Sequence, residues 1–169
     1  MDAWLEPGRK VVMQPHGAGE VVGLEVRVRG DGVRVEYVTV AFQSEVVVLI
    51  PVSMAAEHLR PALSLAEARE LLAALESTDP SRLVAWAEEE ARRHGSARCA
   101  SPARAARLLH RLYRQEEEDA ALQQTLEDLV VGEIALVLGE PVASLVDRLH
   151  QAHGLDSDRA FPSPGPPPG

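Results

Sequence analysis

The sequence predicts an α+β chain, with a small antiparallel β module in the first third and an all-α half after it. Three observations carry this. Residues 9–52 hold short β-branched runs separated by Gly-containing reversals. From Ser64 the apolar residues recur at helical spacing. The change of period falls just after Pro61. The expected division is residues 1–62 as a β domain, 63–155 as a helical domain and 156–169 as a disordered Pro/Gly-rich tail.

The β half reads in order. Trp4 and Leu5 are packing candidates ahead of the Pro7-Gly8 turn. Residues 10–13 form a short strand, and Gly17 and Gly19 permit a tight reversal. Residues 20–29 alternate, which places Val22, Leu24, Val26 and Val28 on one face and Gly23, Glu25, Arg27 and Arg29 on the other. Gly30-Asp31-Gly32 marks a hairpin, residues 33–42 repeat the strand pattern, and residues 46–50 end at Pro51. Four or five short strands with tight turns suggest an SH3-like or Tudor-like antiparallel β-barrel.

The helical half reads as about five helices. Ser64-x-x-Glu67 is a capping box, and Leu65, Ala68, Leu71, Leu72 and Leu75 follow it at helix spacing. Asp79-Pro80 opens a helix expected to run to His94 and stop at Gly95. Ser101-Pro102 opens another, expected to reach the acidic cluster of Glu116, Glu117, Glu118 and Asp119. Residues 121–138 are the most apolar helix, with Gly139 as its stop, and Pro141 starts a last helix that ends at Gly154. No internal repeat is visible.

Composition bounds the function. Net charge is −9, from 17 basic and 26 acidic residues. That balance argues against a free-standing nucleic-acid binder, while leaving room for a local basic patch. Lys10 is the only Lys, so the cationic chemistry is guanidinium chemistry, suited to bidentate phosphate and carboxylate pairing. Cys99 is alone, so no disulfide framework is expected and a reducing cytoplasm is the default. No cationic-then-apolar segment reads as a secretory signal, and no apolar run is long enough to span a membrane.

The run Lys10-Val-Val-Met-Gln-Pro-His-Gly-Ala-Gly-Glu-Val-Val-Gly-Leu-Glu25 resembles the opening of the CarD/CdnL family of bacterial transcription regulators. Val48-Leu-Ile-Pro-Val52 and Leu59-Arg60-Pro61 match the end of that family's first domain, which also occurs in the transcription-repair coupling factor. Trp86, an Arg-rich third helix and the apolar Leu129-Val-Val-Gly-Glu-Ile-Ala135 run fit the helical half in order. The resemblance implies a Tudor-like first domain that docks on the RNA polymerase β subunit. It implies a helical domain facing promoter DNA at the upstream edge of the bubble, with a Trp wedged into the minor groove to hold the open complex. It implies a monomeric, cytoplasmic, nucleoid-associated factor with no enzymatic activity, cofactor or metal.

Particular residues would carry those roles. Polymerase docking is expected through Arg27, Arg29 and Arg34 around the hairpin, with Val46, Val48 and Leu49 as apolar contacts. Leu49 departs from the family, many of whose members carry a basic residue there. DNA contact is expected from Trp86, on the flank of a Leu83, Val84, Ala87 and Ala91 face and therefore half exposed. Arg92 and Arg93 follow it, and Arg104, Arg107, Arg111 and Arg114 form a stripe opposite Ala105, Leu108, Leu109 and Leu112. Glu88-Glu89-Glu90 departs from the basic residues that usually follow the Trp. Two rival readings remain. One is a divergent paralogue that binds polymerase with little DNA contact and acts as a competitor. The other is a Tudor-like protein-binding adaptor without polymerase. His150-x-x-His153 lacks a third metal ligand at a convincing interval, Cys99 has no base beside it, and His16 reads as a turn residue.

Overall fold

The computed structural model describes residues 3–94, 101–116 and 118–155. Gly95 as a helix stop, Cys99, Glu117 of the acidic cluster and the 156–169 tail lie outside the described residues. A 3-10 turn at Ala3–Leu5 leads into β1 (Lys10–Met13), β2 (Gly17–Val28), β3 (Arg34–Phe42) and β4 (Val47–Pro51). Next come α1 (Val52–His58) and the short β5 (Arg60–Pro61). The helical half comprises α2 (Leu65–Glu76), α3 (Pro80–His94), α4 (Pro102–Tyr113), α5 (Ala120–Leu126), a π-helical turn (Glu127–Val131), α6 (Gly132–Leu138) and α7 (Val142–Ala152).

The fold is α+β as expected, with one qualification. The five strands form an open antiparallel sheet in the order β4-β3-β2-β1-β5, and among the described residues β4 and β5 are its unpaired edges. Val11, Val21, Val38, Val40 and Ile50 line its inner face, and Leu5, Ala55 and Leu59 close over them. Gly19 is obligatory in this sheet, because a Cβ there would lie 2.6 Å from the Ala41 carbonyl oxygen.

One expectation fails in the β half, and one element was not foreseen. A bulge between Val21 and Gly23 breaks the alternation. Val21 is therefore buried and Val22 exposed, so Val22 does not share a face with Leu24. The stretch after Pro51 holds α1, whose Ala55 packs on the sheet.

The helix starts follow their local chemistry. Ser64 Oγ accepts from Glu67 N–H at 3.1 Å, and Glu67 Oε2 accepts from Ser64 N–H at 2.8 Å. Asp79 Oδ1 accepts from Ser81 N–H at 2.9 Å, which holds its carboxyl below the usual carboxylate range. α4 stops at Tyr113, earlier than expected, and Gln115 takes a left-handed φ of 59° just beyond it. Gly139, at φ 70°, ends α6. The helical core gathers Leu71, Leu75, Leu83, Leu109, Ile134 and Leu149.

Candidate functional site

β4 ends the sheet with one side unpaired among the described residues. Phe42 N–H donates to the Val46 carbonyl at 2.9 Å. Counting along the antiparallel ladder, Val46, Val48 and Ile50 turn their main-chain groups toward β3. Val47 and Leu49 then present N–H and C=O to the open side. Their side chains lie on the outer face, beside Ala41 and Thr39. Leu49 therefore lies on the outer face at the open edge, and Val47, 59% exposed, lies beside it. Val48 turns to the other face, opposite buried Val40, and packs against the β core. Val46 faces the cleft described below.

The three arginines do not form one cluster. Arg27 lies opposite Val35 on the outer face, pairs with Glu25 at 2.6 Å and sits 5.9 Å from the Tyr37 ring centroid. Arg29 pairs with Asp31 at 3.5 Å at the hairpin tip. Arg34 lies opposite Val28 and so projects from the other face. The hairpin register separates what proximity in sequence had grouped.

In the helical half, Trp86 is buried, with 7% of its surface accessible. The half-exposed position expected for it is corrected. α3 turns Leu83, Trp86 and Glu90 inward at i, i+3 and i+7, and Val84 outward. The inward face is rotated from the predicted one: Leu83 and Trp86 join the helical core, and Glu90 on the same side accepts a 2.9 Å hydrogen bond from Ser101 Oγ at the start of α4. Arg92 pairs with Glu89 at 2.9 Å. Arg93 lies 3.2 Å from Glu89 and 3.6 Å from Glu70. Both cations are thus partnered within the domain. On α4, Arg104, Arg107 and Arg111 are exposed along one side. Arg111 and Arg114 reach Glu116 at 3.6 and 3.3 Å, whereas Arg104 and Arg107 make no ion pair among the described residues. The buried face of α4 is Ala106, Leu109, His110, Leu112 and Tyr113, again rotated from the expected one.

Residues 5–63 match a family model described as the CarD-like/TRCF RID domain. The first domain is a CarD-like/TRCF RID domain. Comparison with curated proteins gives no match. RID domains are RNA-polymerase-interaction modules, in keeping with an open β4 edge.

The RID domain and the helical domain are joined by a feature the sequence reading missed. Arg60 on β5 makes a bidentate pair with Glu133 on α6, at 2.6 and 2.7 Å. Glu133 Oε1 also accepts from Leu63 N–H at 2.9 Å. The two side chains are only 4% and 2% exposed. The available signal was Glu133 itself, a lone carboxylate inside Val-Val-Gly-Glu-Ile-Ala, which must find a cation if it is buried. A cleft of about 510 Å³ is lined by residues of both halves. Pro15, His16, Gln43 and Val46 of the RID domain face Asp128, Leu129 and Val142 across it.

A second buried polar group sits on the π-helical turn. Glu127 accepts from Tyr113 Oη at 3.0 Å and lies 2.7 Å from His150 Nε2. His153 Nε2 lies 2.6 Å from the Leu75 carbonyl and His110 Nε2 2.6 Å from the Ser77 carbonyl; a carbonyl only accepts, so both rings donate. Burial, then the Glu127 carboxylate, pushes the Tyr113 phenol far up. Burial holds the His153 imidazole below its ordinary value, with the facing His110, Arg114 and His150 adding to the effect. These groups bind α7 to α4 and to the end of α2. No group of three or more metal-ligating side chains occurs among the described residues.

Proposed function

We propose that this protein is a transcription regulator that docks on the RNA polymerase β subunit through its RID domain. A β-subunit strand adds to the open β4 edge, pairing with the main chain of Val47 and Leu49. Leu49, Val47 and Arg27 supply the outer-face contacts. The helical domain, fixed by the Arg60–Glu133 joint, then faces promoter DNA at the upstream edge of the bubble. There Arg104, Arg107 and Arg111 meet phosphates. The observation that carries the reading is the RID match over residues 5–63 together with the unpaired β4 edge.

The test is capture of the full chain by the isolated β-subunit lobe, with Leu49→Asp and Leu49→Pro beside the wild type. Wild-type capture with loss in both variants is expected. No capture of a folded wild-type chain removes polymerase docking and leaves a protein-binding adaptor.

A second reading has its own support. Trp86 is buried, Arg92 and Arg93 are paired, and Glu88 stands exposed on the same helix. A polymerase-bound protein with weak DNA contact would act as a competitor for the docking site. Open-complex lifetime separates the two: a longer lifetime supports the regulator, and an unchanged one the competitor.

A further inference from the structure

We propose that two copies of this chain associate through the open edge of β2, with Leu24, Val26 and Val28 of one copy antiparallel to the same residues of the other about a two-fold axis at Val26. This goes beyond the polymerase reading and does not rest on it.

The edge is open because β1 stops early. β1 pairs with β2 only as far as Glu20. Two hydrogen bonds, Gly8 N–H to the Val21 carbonyl at 2.8 Å and Val21 N–H to the Arg9 carbonyl at 2.9 Å, extend the cover by one residue. After the bulge, β2 continues to Val28 beside β3 alone. Arg29 N–H donates to the Val33 carbonyl at 2.8 Å. By alternation Arg27 and Glu25 turn their main-chain groups to β3, and Leu24, Val26 and Val28 turn theirs outward. Those outward groups have no partner among the described residues.

Beyond the bulge at its start and the outer-face Glu25 and Arg27, no Lys or Pro guards this edge. Exposed edges are normally blunted by a Lys, a Pro or an inward-pointing charge. Here the edge residues themselves are Leu24, Val26 and Val28, with Val26 52% and Val28 67% exposed.

The side chains favour a second copy over a foreign strand. Centring the antiparallel pair on Val26 sets Val26 opposite Val26 and Leu24 opposite Val28 on one face. On the other face it sets Glu25 opposite Arg27, twice. Opposite charges at directly facing positions are favourable and like charges are not. Sliding the axis to Glu25 or to Arg27 keeps the hydrogen-bond phase but faces Glu25 with Glu25, or Arg27 with Arg27. One register therefore satisfies main chain, apolar strip and charge together. Glu25 and Arg27 are both exposed and already 2.6 Å apart within the strand, so they need little rearrangement. An interface of a few residues per copy is small, and small interfaces are weak.

Sedimentation equilibrium of the full chain tests this over about 10 µM to 1 mM, the affinity range of such a contact. The weight-average mass is expected to rise from 18.3 kDa toward twice that value. Val26→Pro removes an outward N–H without breaking the β2–β3 ladder and should abolish the rise. Glu25→Arg should weaken association at least about tenfold, through two facing Arg–Arg contacts. The double variant Glu25→Arg/Arg27→Glu should restore it to within about threefold, because the facing pairs are opposite again. A wild-type chain that stays monomeric at about 1 mM overturns the proposal. So does a Val26→Pro chain, folded by circular dichroism, that associates like wild type, or a double variant no better than the single.

Discussion

Glu133 and Arg60 set what a single residue can do in this molecule. The pair is buried, bidentate and anchored to the Leu63 amide. Removing one partner leaves the other charge buried without its counter-ion, which costs about 3–5 kcal/mol. Glu133→Ala should therefore lower the urea midpoint of the full chain by that equivalent, with Arg60→Met/Glu133→Leu recovering much of the loss. If Glu133→Ala unfolds at the wild-type midpoint, the joint does not hold the domains together. Trp86 yields a second prediction of the same kind. As a core side chain, Trp86→Ala should cost about 3–5 kcal/mol, and Trp86→Phe markedly less. A wedge residue would instead leave stability unchanged and alter only the open complex. Both residues show where reading a sequence stops. The Trp86 position was legible, and so was its helix. Its exposure was not, because it depends on which residues of the other helices pack against α3, and these lie far away in sequence.

Elements whose ends are set by local chemistry were legible. The Ser64–Glu67 box, the Asp79-Pro80 and Ser101-Pro102 starts and the Gly139 stop all lie where their residues place them. The bulge in β2 was not, since it depends on how β3 registers against β2. α1 was missed for a different reason: its first residue follows Pro51, which gives it no side-chain cap. The most testable element is α7. It is tied down by His150 on Glu127 and by His153 on the Leu75 carbonyl. The His153 imidazole is held below its ordinary 6.5 by burial first of all. The unfolded chain therefore binds the proton more readily, and stability rises with pH across that window. The stabilisation is complete above 6.5 and is lost as pH falls through the lower folded value. His110, Tyr113, Arg114 and His150 face this ring, and none supplies a carboxylate to it. The thermal midpoint should fall between pH 7.5 and 5, and His153→Gln should flatten that slope. An equal slope in the variant would assign the acid sensitivity elsewhere.

At the scale of the whole molecule, a net charge of −9 and a basic stripe on α4 have to be reconciled. An acidic chain gains little from searching for DNA alone. Once docked on polymerase, its local concentration at the promoter is set by geometry and not by charge. The buried Arg60–Glu133 pair ties β5 to α6, and so links the sheet to the helical half that carries α4. On the proposed reading, Arg104, Arg107 and Arg111 would act as a small set of phosphate partners whose worth depends on salt. The affinity of the polymerase–promoter complex for this protein should fall as salt rises. Replacing all three arginines by Gln should reduce the log–log salt slope by about one for each Arg–phosphate pair removed. Capture by the isolated β lobe should be untouched, because the stripe lies on the helical domain. A triple variant with an unchanged salt slope would mean that α4 does not see phosphate. The competitor reading would then stand, with docking at β4 accounting for the protein's whole effect on transcription.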